Sequence, residues 1–127
     1  MNIPADLKYT KEHEWLKVEG QLATMGITDY AQGELGDIVF TELPKVGTRL
    51  EQMKPFGVIE AVKAVSEIFS PITGEVTEVN SKLESEPTTM NSDPYGAGWI
   101  IKIKVANHKE LNNLLSAEEY KKLLEEH

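Results

Sequence analysis

Short runs of β-forming residues, each closed by a turn signal, recur along the chain at close spacing, at 22–27, 38–43, 75–79 and 99–105. Many short strands so placed predict a sandwich or a barrel. The last run alternates, with Ile101, Ile103 and Val105 on one side and Lys102 and Lys104 on the other, so one face of that strand is expected in water. Leu43-Pro44-Lys45-Val46-Gly47 and Ser70-Pro71-Ile72-Thr73-Gly74 read as strand ends running into turns. Asp93-Pro94-Tyr95-Gly96 has Asp, Pro and Gly where a type I turn favours them.

Helical signals are fewer. Thr28 predicts the cap of a helix through Leu35 that Gly33 and Gly36 keep short. Ser116-Ala117-Glu118-Glu119 is a capping-box pattern, followed by an apolar stripe of Tyr120, Leu123 and Leu124. Asn107 predicts a further short helix through Leu115, so that helical structure occupies about 108–126.

At 127 residues the chain can bury one real core and is too short for two independent domains, so 1–127 is read as one domain. No apolar run approaches the roughly 20 residues that cross a bilayer. Thirteen Lys and Arg against 21 Asp and Glu give a formal charge of −8, which repels nucleic acid and anionic membranes. The first residues carry neither a signal peptide nor a transit-peptide pattern, which predicts a cytoplasmic protein or a processed mature chain. With no cysteine, the polypeptide has no disulfide, catalytic thiol or thiolate metal site of its own. Any sulfur chemistry has to come from an attached group.

One lysine, Lys63, stands in the apolar run GVIEAVKAVSEIF, 57–69. Val58, Val62, Val65 and Phe69 fall at helical spacing, with Glu60, Lys63 and Glu67 on a contrasting stripe, so periodicity favours an amphipathic helix. β-branched enrichment between Gly57 and Pro71 favours two extended arms meeting near 62–64. The residues alone leave both readings open, and a lysine on a solvated helix face needs no special explanation.

Eight segments stand out in order along the chain: Tyr9-Thr-Lys-Glu-His-Glu-Trp15, Gly26-Ile-Thr-Asp-Tyr-Ala-Gln32, Leu35-Gly-Asp-Ile-Val-Phe40, Glu42-Leu-Pro44, Phe56-Gly-Val-Ile-Glu-Ala-Val-Lys-Ala-Val-Ser66, Ser70-Pro-Ile-Thr-Gly-Glu-Val76, Glu78-Val-Asn80 and Asn91-Ser-Asp-Pro-Tyr-Gly-Ala-Gly-Trp99. Through them the chain resembles the glycine cleavage H-protein family, a family of lipoyl carriers. The resemblance implies a mainly β protein: a flattened β sandwich, or barrel-sandwich hybrid of the lipoyl/biotinyl type, with short added helices. It makes about 57–70 a β-hairpin with Lys63 at the tip, and places lipoic acid on that lysine in amide linkage. It further implies a carrier rather than an enzyme, and no catalytic or metal-binding residue is assigned. The expected partners are a glycine decarboxylase (P protein), an aminomethyltransferase (T protein), a dihydrolipoyl dehydrogenase (L protein) and a lipoylating enzyme. The carrier takes an aminomethyl group from P to T and reducing equivalents to L.

A loaded arm would carry a cationic amine, which a cleft with carboxylates can hold by charge-assisted hydrogen bonds. The family places such a carboxylate at Glu14, and Glu12 and Glu67 are candidate second contacts. Most acidic residues in so acidic a chain are simply solvated, and Glu34 is assigned no role. Glu60, three residues before Lys63, is a candidate contact for the lipoylating enzyme; its competing role is an exposed ion pair with Lys63, worth little. Trp15 and Trp99 fit core positions better than cleft positions. His13-Glu14 begins a zinc-protease pattern, but Lys17 stands where its second histidine is needed.

Two departures stand out. Ala61 occupies a position where the family usually has Ser, and Glu86-Pro87-Thr88-Thr89-Met90 is atypical and reads as a loop. Two alternatives share much of this pattern: a biotin carrier domain, which typically flanks its lysine with Met where Val62 and Ala64 stand here, and an H-like relay that passes lipoyl groups to other enzymes.

Overall fold

Strand Ile101–Val105 buries Ile101, Ile103 and Val105 and turns Lys104 to solvent, as its alternation requires. In the computed structural model, which describes residues 1–126, this strand is the last of nine. The others are β1 (Lys8–Tyr9), β2 (Glu14–Glu19), β3 (Leu22–Ile27), β4 (Ile38–Glu42), β5 (Arg49–Leu50), β6 (Pro55–Ala61), β7 (Val65–Phe69) and β8 (Gly74–Val79), with Ile101–Val105 as β9. All pair antiparallel, in a six-stranded sheet ordered β1-β2-β3-β9-β8-β5 and a three-stranded sheet ordered β4-β6-β7.

Ala23, Met25, Val76, Ile101 and Ile103 from the large sheet share one buried cluster with Ile38, Ile59 and Ile68 of the small one. The architecture is therefore a two-sheet sandwich, and it does not close into a barrel.

The capping signals locate helices where the sequence places them. Thr28 accepts from the Ala31 amide to start α1 (Asp29–Leu35), and Gly36 ends it. Two four-residue helices, α2 (Lys82–Ser85) and α3 (Thr89–Ser92), flank the segment read as a loop, α3 taking in its last two residues; neither has a side-chain cap, and each buries one residue, Leu83 or Met90, in the core. The segment after Asn107 is a 3₁₀ helix, His108–Asn113, shorter than expected. The Asp93 turn forms, with the Gly96 amide donating to the Asp93 carbonyl at 3.2 Å.

Helix α4 (Ala117–Glu125) carries both bonds of the Ser116–Glu119 capping box. Its Tyr120 anchors a second buried cluster with Leu7, Tyr9, Trp15 and Ala117. The Tyr120 and Tyr9 rings stack at 4.7 Å, and the Tyr120 hydroxyl lies 2.7 Å from Thr28 Oγ1 and 2.9 Å from His13 Nδ1. The chain end thus braces the start of α1 and the turn before β2. Tyr120→Ala is expected to destabilise the fold by about 3–5 kcal/mol, the usual cost of emptying a buried aromatic site. Tyr120→Phe keeps the stacked ring and is expected to cost about 1 kcal/mol. Urea unfolding of the two variants measures both.

Candidate functional site

The run around Lys63 is a hairpin. Strands β6 and β7 pair Glu60 with Val65, Ile59 with Ser66 and Val58 with Glu67, leaving 62–64 as the bend. The helical stripe is an accident of spacing: Val62 and Val65 are exposed, whereas Ile59, Ala61 and Ile68, which lie off that stripe, are buried. The Ala61 amide closes the bend by donating to the Ala64 carbonyl at 2.8 Å, and Lys63 is exposed at the tip.

The bend is braced from outside. The Val62 amide donates to the Asp37 carbonyl at 3.0 Å. Gly36, next to it, has φ +77°, a region L side chains rarely adopt, and a Cβ there would lie 3.2 Å from Lys63 Cε. Asn91 holds this support from across the fold: its Oδ1 accepts from the Ile38 amide at 3.0 Å, and its Nδ2 donates to the Gly36 carbonyl at 2.7 Å and to Gln32 Oε1 at 3.2 Å.

A cleft of about 160 Å³ begins one residue from Gly36, at Leu35. Ile27, Ala31, Leu35 and Ile59 supply its apolar lining, and Glu12, Glu14, Glu34 and Glu67 its acids. All three arm-cleft candidates are thus brought together, with Glu34 beside them. Glu14, at the start of β2, is 1% exposed; Glu12, Glu34 and Glu67 are at the surface. The Thr10 hydroxyl donates to Glu14 Oε1 at 2.5 Å, and the Phe69 amide at the end of β7 donates to Oε2 at 3.1 Å. Burial pushes the Glu14 carboxyl up to about 8, against the opposing pull of these two hydrogen bonds and with a smaller push from Glu12. His13, held at φ 69°, lines the same cleft with its ring 4.7 Å from that of Tyr30.

The remaining candidates fall elsewhere. Glu60 sits on the outer face of the small sheet, opposite both Phe40 and Val65, and among the described residues no ion pair joins it to Lys63. Trp15 is buried with Nε1 donating to the Pro94 carbonyl at 3.0 Å, and Trp99 packs on the second cluster, so neither lines the cleft. A larger, more open hollow of about 540 Å³ near Arg49 shares no residue with the cleft. Its Glu110 carboxylate is already engaged by the Thr73 amide and hydroxyl, each at 2.8 Å. Among the described residues no cluster of three or more acidic or histidine side chains suits a metal ion, and no helix is long and apolar enough to cross a membrane.

The family described as Glycine cleavage H-protein matches residues 7–127. The chain belongs to that family. It is 57% identical over 119 residues to the glycine cleavage system H protein of Symbiobacterium thermophilum, covering 94% of this chain and 93% of that one. It is 54% identical over 126 residues to the H protein of Halothermothrix orenii, covering 99% and 98% respectively. The crystal structure of the H protein from Mycobacterium marinum superposes with a TM-score of 0.88 at 35% identity, covering 97% of this chain and 99% of that one.

Within this family framework the departure at Ala61 is easily accommodated. Ala61 is buried at the end of β6 beside the bend, where a methyl group needs no hydrogen-bond partner. Sequence reasoning assigned no role to Glu34, Asn91, His13 or Tyr30. Glu34 and Tyr30 lie in α1, and its capped start at Thr28 was the available signal that they share an element; which cleft that element borders is set by tertiary packing.

Glu14 gives a pH signature. Its folded value lies above the ordinary carboxyl range, so between about pH 4.5 and 8 the native state holds a proton that the unfolded chain has released. Stability from this group is therefore fully present below that window and lost as pH rises through it, at up to about 1.4 kcal/mol per pH unit. Glu14→Gln, which mimics the neutral acid, is expected to flatten the dependence. Urea unfolding of wild type and variant at pH 5, 6, 7 and 8 measures the difference, and parallel curves would contradict a neutral Glu14.

Proposed function

We propose that Lys63 is the lipoyl attachment site and that the chain, acting as one carrier domain over 1–127, shuttles intermediates of the glycine cleavage system. The observation that carries this reading is the adjacency of an exposed lysine on a braced hairpin and an acidic cleft one residue beyond its support. The site fits the group: the lysine side chain is accessible for acylation, its backbone is fixed, and the path toward the cleft passes a glycine. When bound, lipoic acid supplies a dithiolane that takes up a one-carbon amine fragment and cycles between disulfide and dithiol. The chain lacks cysteine, so none of its own thiols can exchange with that disulfide.

The chain's residues have three tasks. The β6–β7 hairpin fixes where a long flexible arm begins, limiting the space its far end must search. The apolar lining of the cleft excludes water from a cargo prone to hydrolysis. Glu14 would meet the cargo's cationic amine: an opposite charge at that carboxyl favours its ionised form, so its proton would pass to water and a charge-assisted bond would hold the amine. Glu12 and Glu67 at the rim add attraction screened by solvent.

Family membership supports a role as a component of the glycine cleavage system. On this reading the partners are the P protein, which loads the aminomethyl unit, the T protein, which passes it on, and the L protein, which reoxidises the carrier. The lipoylating enzyme recognises Glu60 near Lys63. Val62 and Ala64 beside the lysine argue against biotin as the attached group.

Peptide mass mapping after expression in lipoylating cells is expected to find a lipoyl increment on Lys63 and none in Lys63→Arg. A biotin-sized increment there would refute the assignment. Wild-type protein with P protein is expected to support exchange of labelled bicarbonate into glycine, whereas a pure lipoyl relay would support none. Glu14→Gln should lose its aminomethyl cargo to water roughly tenfold faster, as expected for loss of a charged hydrogen bond.

A further inference from the structure

We propose that the outer face of the three-stranded sheet is the docking surface for the enzyme that acylates Lys63, with Phe40 and Val65 as its apolar contacts. This rests on Lys63 being the lipoyl site and extends recognition to a strand outside the hairpin. Directly paired residues of an antiparallel ladder share a face, so Phe40, Glu60 and Val65 form one row across β4, β6 and β7, and Glu42, Val58 and Glu67 the next. The intervening row carries Thr41 and Ile59, both buried, which leaves the first two rows facing outward.

Among the described residues eight large apolar side chains are well exposed, and four surround this one corner: Val39 at 55%, Phe40 at 49%, Val62 at 76% and Val65 at 68%. Scattered apolar residues need no explanation, but their concentration beside a single lysine does.

Reach decides the occupant. An enzyme visited by a loaded arm can keep its distance, because the arm spans the gap. The acylating enzyme has no arm to use: Lys63 Nζ is one side chain from the hairpin, so its active site must descend over the tip and cover Val62 and Val65. Neighbouring strands lie about 4.8 Å apart, so Phe40, two strands across from Val65, falls under the same rim at about 10 Å. Glu42, Glu60 and Glu67 lie in the two outward rows, which contain no Lys or Arg. The matching surface is therefore apolar with Lys or Arg around it. In the reaction an amide bond forms between Nζ and the acyl carbon of an activated lipoyl carboxylate, the activating group leaves with its electron pair, and the amine gives up a proton.

The test is the rate of acylation of the full-length apo protein by a purified lipoate ligase with lipoate and ATP, followed by intact mass. Phe40→Thr and Val65→Thr retain β-forming residues at exposed positions, so their melting temperatures should match wild type. Each is expected to lower kcat/KM about tenfold, as loss of an interface anchor does. Leu22→Thr, at a residue 46% exposed on the other sheet, should leave it unchanged. Added salt should slow wild type, and Glu42→Gln should weaken that dependence. Phe40→Lys, which sets a cation against the basic rim, should lose more than Phe40→Thr. Acylated wild type with both Thr variants within about twofold of it overturns the docking face and leaves the lipoyl site standing. A rate loss confined to Phe40→Thr and tracking a lowered melting temperature also overturns the docking face. No acylation of wild type, under conditions that modify a lipoyl domain, overturns the lipoyl site itself.

Discussion

The site depends on one backbone hydrogen bond, from the Val62 amide to the Asp37 carbonyl, which ties the hairpin tip to the segment between α1 and β4. A bend beyond the last ladder pair has few partners of its own and would otherwise fray. Asn91 makes that anchor firm, because its amide satisfies the Ile38 amide and the Gly36 carbonyl on either side of Asp37. The residues that fix the position of Lys63 are thus drawn from three separate parts of the chain. The bonds that hold the tip run to the backbone, so they fix its course while leaving the lysine side chain exposed.

Local chemistry made part of this legible. The caps at Thr28, Asn107 and Ser116 act within three residues, and all three appear as side-chain bonds to nearby amides. The alternating strand at 101–105 reports a sheet with one wet face and is equally local. The hairpin was less readable, because Val58, Val62, Val65 and Phe69 mimic a helical stripe while its true core contacts, Ile59, Ala61 and Ile68, lie off that stripe. The family resemblance resolved what periodicity left open. Strand β2 escaped because Glu14, Trp15 and Leu16 are buried in succession, which breaks alternation. The helices at Lys82–Ser85 and Thr89–Ser92 are too short to show a period, and they owe their place to Leu83 and Met90 entering the core.

The cleft shows the same division. Glu14 looks like one of many acids in an acidic chain, and nothing local marks it as buried. Its environment comes from two sheets at once: Thr10 in the turn before β2 and the Phe69 amide at the end of an edge strand. That amide would otherwise be an unpaired donor on an open sheet edge, so the carboxyl also joins the sheets. The two roles pull on its proton in opposite directions: accepting from both donors suits the ionised form, and burial favours the neutral acid, which keeps one carbonyl oxygen and adds an O–H donor.

These two roles constrain each other. A carboxylate fully exposed to water would hold an arriving cation weakly, because solvent screens the pair. A carboxylate sealed in the core would hold it strongly, but no cargo could reach it. Glu14 lies between these limits: burial pushes its carboxyl up to about 8, yet it lines a cleft that Glu12, Glu34 and Glu67 also line. Screening limits the range over which surface acids act, and a buried acid acts only at contact. Burial and a nearby cation therefore act on this carboxyl in opposite senses, burial holding its proton on and an opposite charge at contact favouring its loss.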